Sequence, residues 1–165
     1  MPAVIVEVAE ALKDVLNSQE FSMCFKACRN YADWDISLET SPENKGKVFC
    51  DVVPVTPDEV TRLTRGALDY RAPVDVVFRR VIEQSERGPD GRVNVSVIDA
   101  LCEFSEEVFD GLTRNVPSLD AVPAVRVERD WRSAYGATDA ATDARLRLQN
   151  QWTSVFRMTY HATVE

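Results

Sequence analysis

The stretch QWTSVFRMTYHATV, residues 151–164, decides the fold of this chain. Its residues alternate strictly, with one parity mainly apolar or aromatic and the other mainly hydroxyl-bearing or charged. Alternation with a period of two, in a stretch rich in β-branched and aromatic residues, predicts a β-strand. The apolar parity must be covered, whereas the polar parity can meet water or a polar partner. The apolar parity consists of Trp152, Ser154, Phe156, Met158, Tyr160, Ala162 and Val164.

Two stretches upstream have helical periodicity. Apolar residues recur at helical spacing from Ala3 to Asn17, which predicts an amphipathic helix of about four turns. Asn94 is predicted to cap a second, longer helix whose acidic residues face solvent. The expected buried stripes are Ile5, Val8, Leu12 and Val15 or Leu16 in the first helix, and Val95, Ile98, Leu101, Cys102, Ser105, Val108, Phe109 and Leu112 in the second.

Four more segments are predicted to be extended. Lys47–Val55 is apolar on both parities except at Asp51, so we expect it to be covered on both faces. Pro73 has no amide N–H, which predicts an edge position or a bulge near the start of its strand. The four strands are Phe21–Arg29, Lys47–Val55, Asp69–Ile82 and a strand from Val125 towards Tyr135.

A short helical turn is predicted between the second and third of these strands. Thr56–Glu59 has the residues of a helix start, so the turn is expected to run through about Leu63.

The order of these segments predicts the fold class. The chain has 165 residues, which is a usual length for one domain, so residues 1–165 are expected to form a single domain. Strands interspersed with two amphipathic helices predict an α+β fold. We expect a mixed, mostly antiparallel β-sheet with the two helices packed on one face.

Charge and hydropathy limit the classes of partner. The chain has 19 lysines and arginines against 27 acidic residues, a formal charge of −8. A surface of this sign repels phosphate backbones, which disfavours general nucleic-acid binding. No apolar segment approaches the roughly 20 residues that cross a bilayer, and Met1–Val8 has no basic residues of the kind that open a signal peptide. No membrane partner is therefore expected.

No catalytic or metal-binding pattern is found in the sequence. Glycine-rich phosphate loops, nucleophile motifs and paired metal-ligand spacings are all missing, so the chain is predicted to be neither an enzyme nor a holder of a cofactor or metal. His161, the single histidine, is expected at the surface or in a cross-strand contact. The four cysteines are expected to be free and mostly buried thiols in a reducing compartment. They are Cys24, Cys28, Cys50 and Cys102.

Five segments spread along most of the chain follow one another in the order of a known family. They are FKACRNYADWDISLE, KVFCDVVPV, LTRGALDYRAPVDVVF, IDALCEFSEEVFDGL and WTSVFRMTYHATV. An amphipathic helix is followed by a strand and a tyrosine, then by a strand that ends near a proline, a Thr-Arg step into another strand, a second helix and a last strand. In this order the chain resembles the tail-terminator, or tail-completion, proteins of long-tailed bacteriophages and prophages. It departs from the common pattern of that family because no proline follows Tyr31.

The resemblance implies an architectural role in the virion. Proteins of this family cap the tail tube, end its polymerisation and join the tail to the head or neck. It implies a homo-oligomeric ring, commonly of six subunits, with the tail-tube protein and a head-completion or neck protein as partners. DNA would pass through the lumen without specific binding, and an acidic subunit suits such a channel. The expected location is the tail-neck region of the virion, and the host bacterial cytoplasm during assembly.

Two long loops are the expected interface elements, residues 83–92 and 136–148. Loops on a rigid scaffold often carry contacts between proteins. Three alternatives remain open: a small α+β ligand- or peptide-binding module, another neck or head-tail connector protein, and a hydrolase with an acidic site. The predicted interface residues are Arg87, Asp90, Arg92, Asp139, Asp143 and Arg145.

Overall fold

The computed structural model describes residues 4–31, 41–55, 60–62, 68–114, 124–133 and 150–164. For residues 60–62, 68–70, 124–133 and 162–164 the description covers the backbone alone. Two short 3₁₀ turns lie at Pro42–Asn44 and Gln84–Glu86. The helices and strands are α1 (Val4–Ser18), β1 (Phe25–Arg29), β2 (Val48–Pro54), β3 (Val60–Arg62), β4 (Leu68–Val81), α2 (Val95–Arg114), β5 (Ala124–Ser133) and β6 (Gln151–Val164).

The sheet is built around β4 and β6, which pair antiparallel along their full 14-residue lengths. The strand order in the described part of the chain is β1-β2-β4-β6-β5, with β3 also paired to β4. β1 runs parallel to β2, and every other described pair is antiparallel. The predicted α+β class with a mixed, mostly antiparallel sheet is therefore confirmed.

One face of the sheet carries both helices. Alternate residues of β4 and β6 point to this face because successive side chains in a strand point to opposite sides. Their apolar side chains join the buried faces of α1 and α2 in a single hydrophobic cluster. The helices contribute Val8, Ala9, Leu12 and Leu16 from α1, and Leu101, Phe104, Val108 and Leu112 from α2.

Phenylalanine rings bridge α2 to the sheet. The Phe78 ring of β4 lies edge-on to Phe104 of α2, with 5.0 Å between centroids, and Phe25 of β1 contacts both rings. Farther along α2, Phe109 stands edge-on to Phe156 of β6 at 5.2 Å. Edge-to-face contacts at this separation add specificity to the burial of apolar area. They fix the position of α2 over the middle of the sheet.

The opposite face of the sheet is polar but buried, which the sequence pattern did not predict. Arg157 of β6 lies directly across from Asp75 of β4 and donates Nε to Oδ1 at 2.6 Å and Nη2 to Oδ2 at 2.9 Å. Arg79 donates Nη2 to Oδ2 of Asp51 at 2.6 Å, and both side chains are 9% exposed. Thr153 of the polar parity is fully buried. The charged side chains of this face are therefore paired with one another across strands and not with water.

Pro73 lies inside a central strand, contrary to the expected edge position or bulge. The Val55 amide N–H donates to the Pro73 carbonyl at 3.0 Å, so the backbone of Pro73 points towards β2. β2 ends at Pro54, next to this position. The missing proline N–H thus costs one hydrogen bond at the place where β2 leaves the ladder, and the rest of the sheet is unaffected.

Three other expectations need correction. β1 begins at Phe25 and not at Phe21, and Val60–Arg62 is a strand paired with β4 where a helical turn was predicted through Leu63. Pairing with the long β4 strand decides the conformation of Val60–Arg62. Thr56–Glu59, whose residues predicted the helix start, and Leu63 lie outside the described residues. In α2, Val95 is 73% exposed, whereas the unpredicted Phe104 is buried.

Replacing Asp75 by Asn tests the buried ion pairing. The change removes the anionic acceptor of two hydrogen bonds from the largely buried Arg157 guanidinium, and we expect the free energy of unfolding to fall by about 2–3 kcal/mol. Asp90→Asn is the matched control, because Asp90 is exposed and lies 3.8 Å from its arginine partner, so a change below about 0.5 kcal/mol is expected. Urea denaturation measures both variants. Equal stabilities for the two would show that the buried pair contributes nothing.

Candidate functional site

The segment 83–94 forms a small hairpin at the end of the sheet where β4 finishes and β6 begins. Residues Gly88 and Arg92 close its tip: Gly91 N–H donates to the Gly88 carbonyl at 2.9 Å, and Gly88 N–H donates to the Arg92 carbonyl at 2.8 Å. Gly91 has a φ of +79°, which glycine adopts without strain. A turn followed by a left-handed glycine is a common way to join two short antiparallel arms. We call this segment the hairpin.

The base of the hairpin is held by a carboxylate. Glu86 accepts a hydrogen bond from the Glu83 amide at 2.8 Å through Oε2 and one from Arg80 Nη2 at 2.7 Å through Oε1. The Arg80 and Glu86 side chains are 15% and 19% exposed. Since Arg80 belongs to β4, this contact joins the hairpin to the central strand.

Arg87 fastens the hairpin tip to the start of β6. Its Nη1 donates to the Gly91 carbonyl and its Nη2 to Oδ1 of Asn150, both at 2.6 Å. Asn150 has a φ of 53°, a left-handed conformation that asparagine tolerates better than most residues, and its carbonyl accepts from the Ile82 amide at 2.6 Å. The hairpin is thus connected to both β4 and β6 by charged and backbone hydrogen bonds.

Asp90 and Arg92 occupy the exposed tip. Oδ1 of Asp90 accepts a hydrogen bond from the Arg92 amide at 3.1 Å, which orders the turn. Their side chains are 62% and 89% exposed and lie 3.8 Å apart at the nearest charged atoms. The tip therefore presents one acidic and one basic side chain on an ordered backbone.

A cleft of about 520 Å³ lies beside the hairpin, between the start of α2, the residues before β1, the start of β2 and the end of β4. Apolar side chains and a few charged or hydroxyl groups share its wall, as is usual where ligands or peptides bind. The wall includes Met23, Val48, Val97 and Leu101 on the apolar side, and Lys47, Arg80, Glu86 and Ser96 on the polar side.

Two of the cysteines are exposed, Cys50 is buried and Cys102 is partly buried. Cys24 and Cys28 are exposed, so the expectation of mostly buried cysteines is wrong for β1 and the residue before it. Burial raises the pKa of Cys50 well above its ordinary value. Burial, followed by the charges of nearby acids led by Asp99, raises the pKa of Cys102 to about 11.

Of the six predicted interface residues, Arg87, Asp90 and Arg92 fall in the described part, and all three belong to the hairpin. Arg87 forms hydrogen bonds to Gly91 of the hairpin and to Asn150, whereas the Asp90 and Arg92 side chains are exposed. Asp139, Asp143 and Arg145 lie outside the described residues. Sequence reasoning missed Asn150, whose partner Arg87 is 63 positions away.

His161 is placed opposite Arg71 in the β4–β6 register and is partly buried. Across the described residues, no three histidine, cysteine or acidic side chains come together in a group that could hold a metal ion. Neither helix in that part of the chain is long and apolar enough to span a membrane.

No model of a known protein family matches the chain, and no curated protein is similar enough to it to indicate a relative.

Removing the Arg87 side chain should loosen the hairpin. Arg87→Ala loses two hydrogen bonds made by a charged group, so we expect a loss of about 1–2 kcal/mol in the free energy of unfolding and faster amide exchange in residues 86–94. Arg92→Ala, in the same hairpin but largely exposed, should change stability by less than about 0.5 kcal/mol. Hydrogen exchange measured by mass spectrometry tests this expectation. If the amides of residues 86–94 exchange as slowly in Arg87→Ala as in the unaltered protein and in Arg92→Ala, the role given to Arg87 is wrong.

Thiol alkylation tests the cysteine environments. Because the thiolate is the reactive species, a pKa of about 11 leaves little reactive Cys102 near neutral pH, and its rate should rise about tenfold per pH unit up to that value. With iodoacetamide at neutral pH, Cys24 and Cys28 should react at least about tenfold faster than Cys50 and Cys102. In denaturant all four rates should converge. Equal rates in the folded protein would contradict the burial of Cys50 and the raised pKa of Cys102.

Proposed function

We propose that this chain is a structural virion protein that caps the tail tube of a long-tailed bacteriophage. In this proposal it ends tube polymerisation and joins the tail to the head or neck as a homo-oligomeric ring of about six subunits. Its partners are the tail-tube protein and a head-completion or neck protein. The chain has no catalytic role in this proposal and needs no cofactor.

The observation that carries the proposal is the hairpin. An element that binds another subunit gains affinity when its backbone is ordered beforehand, because less conformational entropy is lost on contact. The hairpin is ordered by Arg87, Glu86 and Asn150, while Asp90 and Arg92 remain exposed. An ordered backbone that carries exposed charged side chains is suited to contact with another subunit.

Ring geometry is compatible with the position of the hairpin. Subunits of a closed ring make heterologous contacts and all point the same way along its axis, so the two ends of the ring are different surfaces. A tube cap needs this difference, because one end meets the tube and the other the neck. The hairpin and the cleft lie together at one end of the sheet and would be repeated around one rim.

The overall charge supports passage of DNA through such a ring. A formal charge of −8 on each subunit repels the phosphate backbone and disfavours adhesion to the channel wall. Acidic side chains on the exposed side of α2, such as Asp99, Glu103 and Glu106, contribute to this charge.

The cleft favours a second candidate, a small ligand- or peptide-binding module. Its volume of about 520 Å³ falls in the range of ligand pockets, and its apolar wall is accompanied by Lys47 and Ser96. A monomer that binds a peptide in this cleft, observed as chemical-shift changes confined to Met23, Val97 and Leu101, would favour this function over the ring.

Mass by light scattering over a concentration series tests the ring directly. We expect a discrete species near six times the 18.5 kDa subunit, with a central hole in negative-stain images, either alone or after addition of tail-tube protein. A protein that stays monomeric both alone and with tail-tube protein would overturn the proposal.

Reversing one charge at the hairpin tip tests the contact element. Arg92→Glu should weaken ring formation or tube binding by about tenfold or more, because unlike charges across an interface become like charges. The monomer should stay folded, since the Arg92 side chain is 89% exposed. Arg114→Glu, at the far end of α2, makes the same change in net charge and should assemble normally. Equal assembly of the two variants would exclude the hairpin from the interface.

A further inference from the structure

The backbone of β1 has one side bonded to β2 and one side turned outwards. The Asn30 amide donates to the Val52 carbonyl at 3.0 Å, so even-numbered positions of β1 direct their backbone groups to β2. Backbone direction alternates along a strand, and Phe25, Ala27 and Arg29 therefore direct theirs away from the sheet. In the described part of the chain β1 is an edge strand.

The Asn17 side chain occupies the middle of this outward edge. Its Nδ2 donates to the Ala27 carbonyl at 3.0 Å, and its Oδ1 accepts from the Ala27 amide at 2.8 Å. A carboxamide has one donor group and one acceptor, like the peptide group of a neighbouring strand. Asn17 thus makes with Ala27 the two hydrogen bonds that an added strand would make there.

Helix α1 is fixed in the position that this contact requires. Leu12 and Leu16 of its last turns are buried in the main core. Glu10 of α1 pairs with Arg29 of β1 and with Lys13, and hydrogen bonds from Lys13 and Arg29 lower the pKa of the Glu10 carboxyl. Near neutral pH the carboxylate is therefore charged and holds α1 along the β1 edge.

We propose that Asn17 seals the β1 edge against strand pairing with a second copy of this chain. An exposed edge strand is a template for pairing with another strand, and proteins block such edges. Phe25 and Arg29, the remaining outward positions, are roughly 13 Å apart along the strand. Because the N–H and the carbonyl of Ala27, which lies between them, are already bonded to Asn17, an incoming strand cannot form a continuous ladder of hydrogen bonds. The β1 edges of two copies do not pair unless Asn17 is displaced.

This inference concerns the isolated subunit and does not depend on the proposed ring. It also restricts that ring, because a subunit contact made by continuing the sheet at β1 would have to break both Asn17 hydrogen bonds. Contacts through the hairpin leave the seal intact.

Hydrogen exchange in the unaltered protein gives the first test. The Ala27 amide should exchange at least about tenfold more slowly than the outward amides of Phe25 and Arg29. Ala27 exchange as fast as that of both neighbours would overturn the seal, and this comparison needs no variant to fold.

Asn17→Ala gives the second test. Removal of the carboxamide should speed Ala27 exchange about tenfold in dilute protein. At higher concentration the mass should reach at least twice that of the unaltered protein, with new protection at Phe25 and Arg29 as two β1 edges pair. Ser18→Ala is the control, because the Ser18 hydroxyl bonds only within α1, to the Val15 carbonyl at 2.8 Å. An Asn17→Ala protein of unchanged mass, or one that associates without protection at Phe25 and Arg29, would overturn the proposal.

Discussion

The antiparallel ladder between β4 and β6 is the constraint on which the rest of this structure depends. It runs for 14 residues on each strand without a break in register, from Leu68 opposite Val164 to Val81 opposite Gln151. Since side chains alternate along a strand, this single register decides which residues enter the helix-covered core and which meet across the other face. A slip of one residue would move Phe78 and Phe156 out of the core and separate Asp75 from Arg157.

The register also explains how charged residues can lie on a buried face. Asp75 and Arg157 are direct partners across the ladder, so a bidentate pair forms between side chains that the backbone already holds close together. Buried ion pairs stabilise little compared with apolar packing, but an unpaired charge there is costly. The pairs therefore favour the observed register over shifted ones, and Val77 and Val155 supply apolar contact between them.

Local pattern in the sequence predicted the two faces of β6 and both helices, because each depends on neighbours within a few positions. It could not predict the burial of Thr153 or the Asp75–Arg157 pair, since these require knowing which strand lies beside β6. The same limit explains β3, which pairs with β4 where a helical turn was predicted, and Arg87, whose partner Asn150 is distant in the chain. Val95 was misplaced because it lies about 120° around α2 from the buried Leu101, whereas Val97 and Ile98 of the same turn pack against the core.

The hairpin end of the sheet and its β1 edge differ in how much of their backbone is exposed. At the hairpin end, the last ladder residues continue into Ile82 and Asn150, and Arg87 adds a charged side chain that orders the turn while leaving its tip exposed. At the β1 edge, Asn17 covers the outward peptide group of Ala27 with a matching pair of hydrogen bonds. An ordered, exposed turn favours specific contact through side chains, whereas a bare strand edge pairs with almost any extended chain. A subunit that must join defined neighbours and no others gains from this difference, because the hairpin can select a partner by charge and shape while the sealed edge selects none.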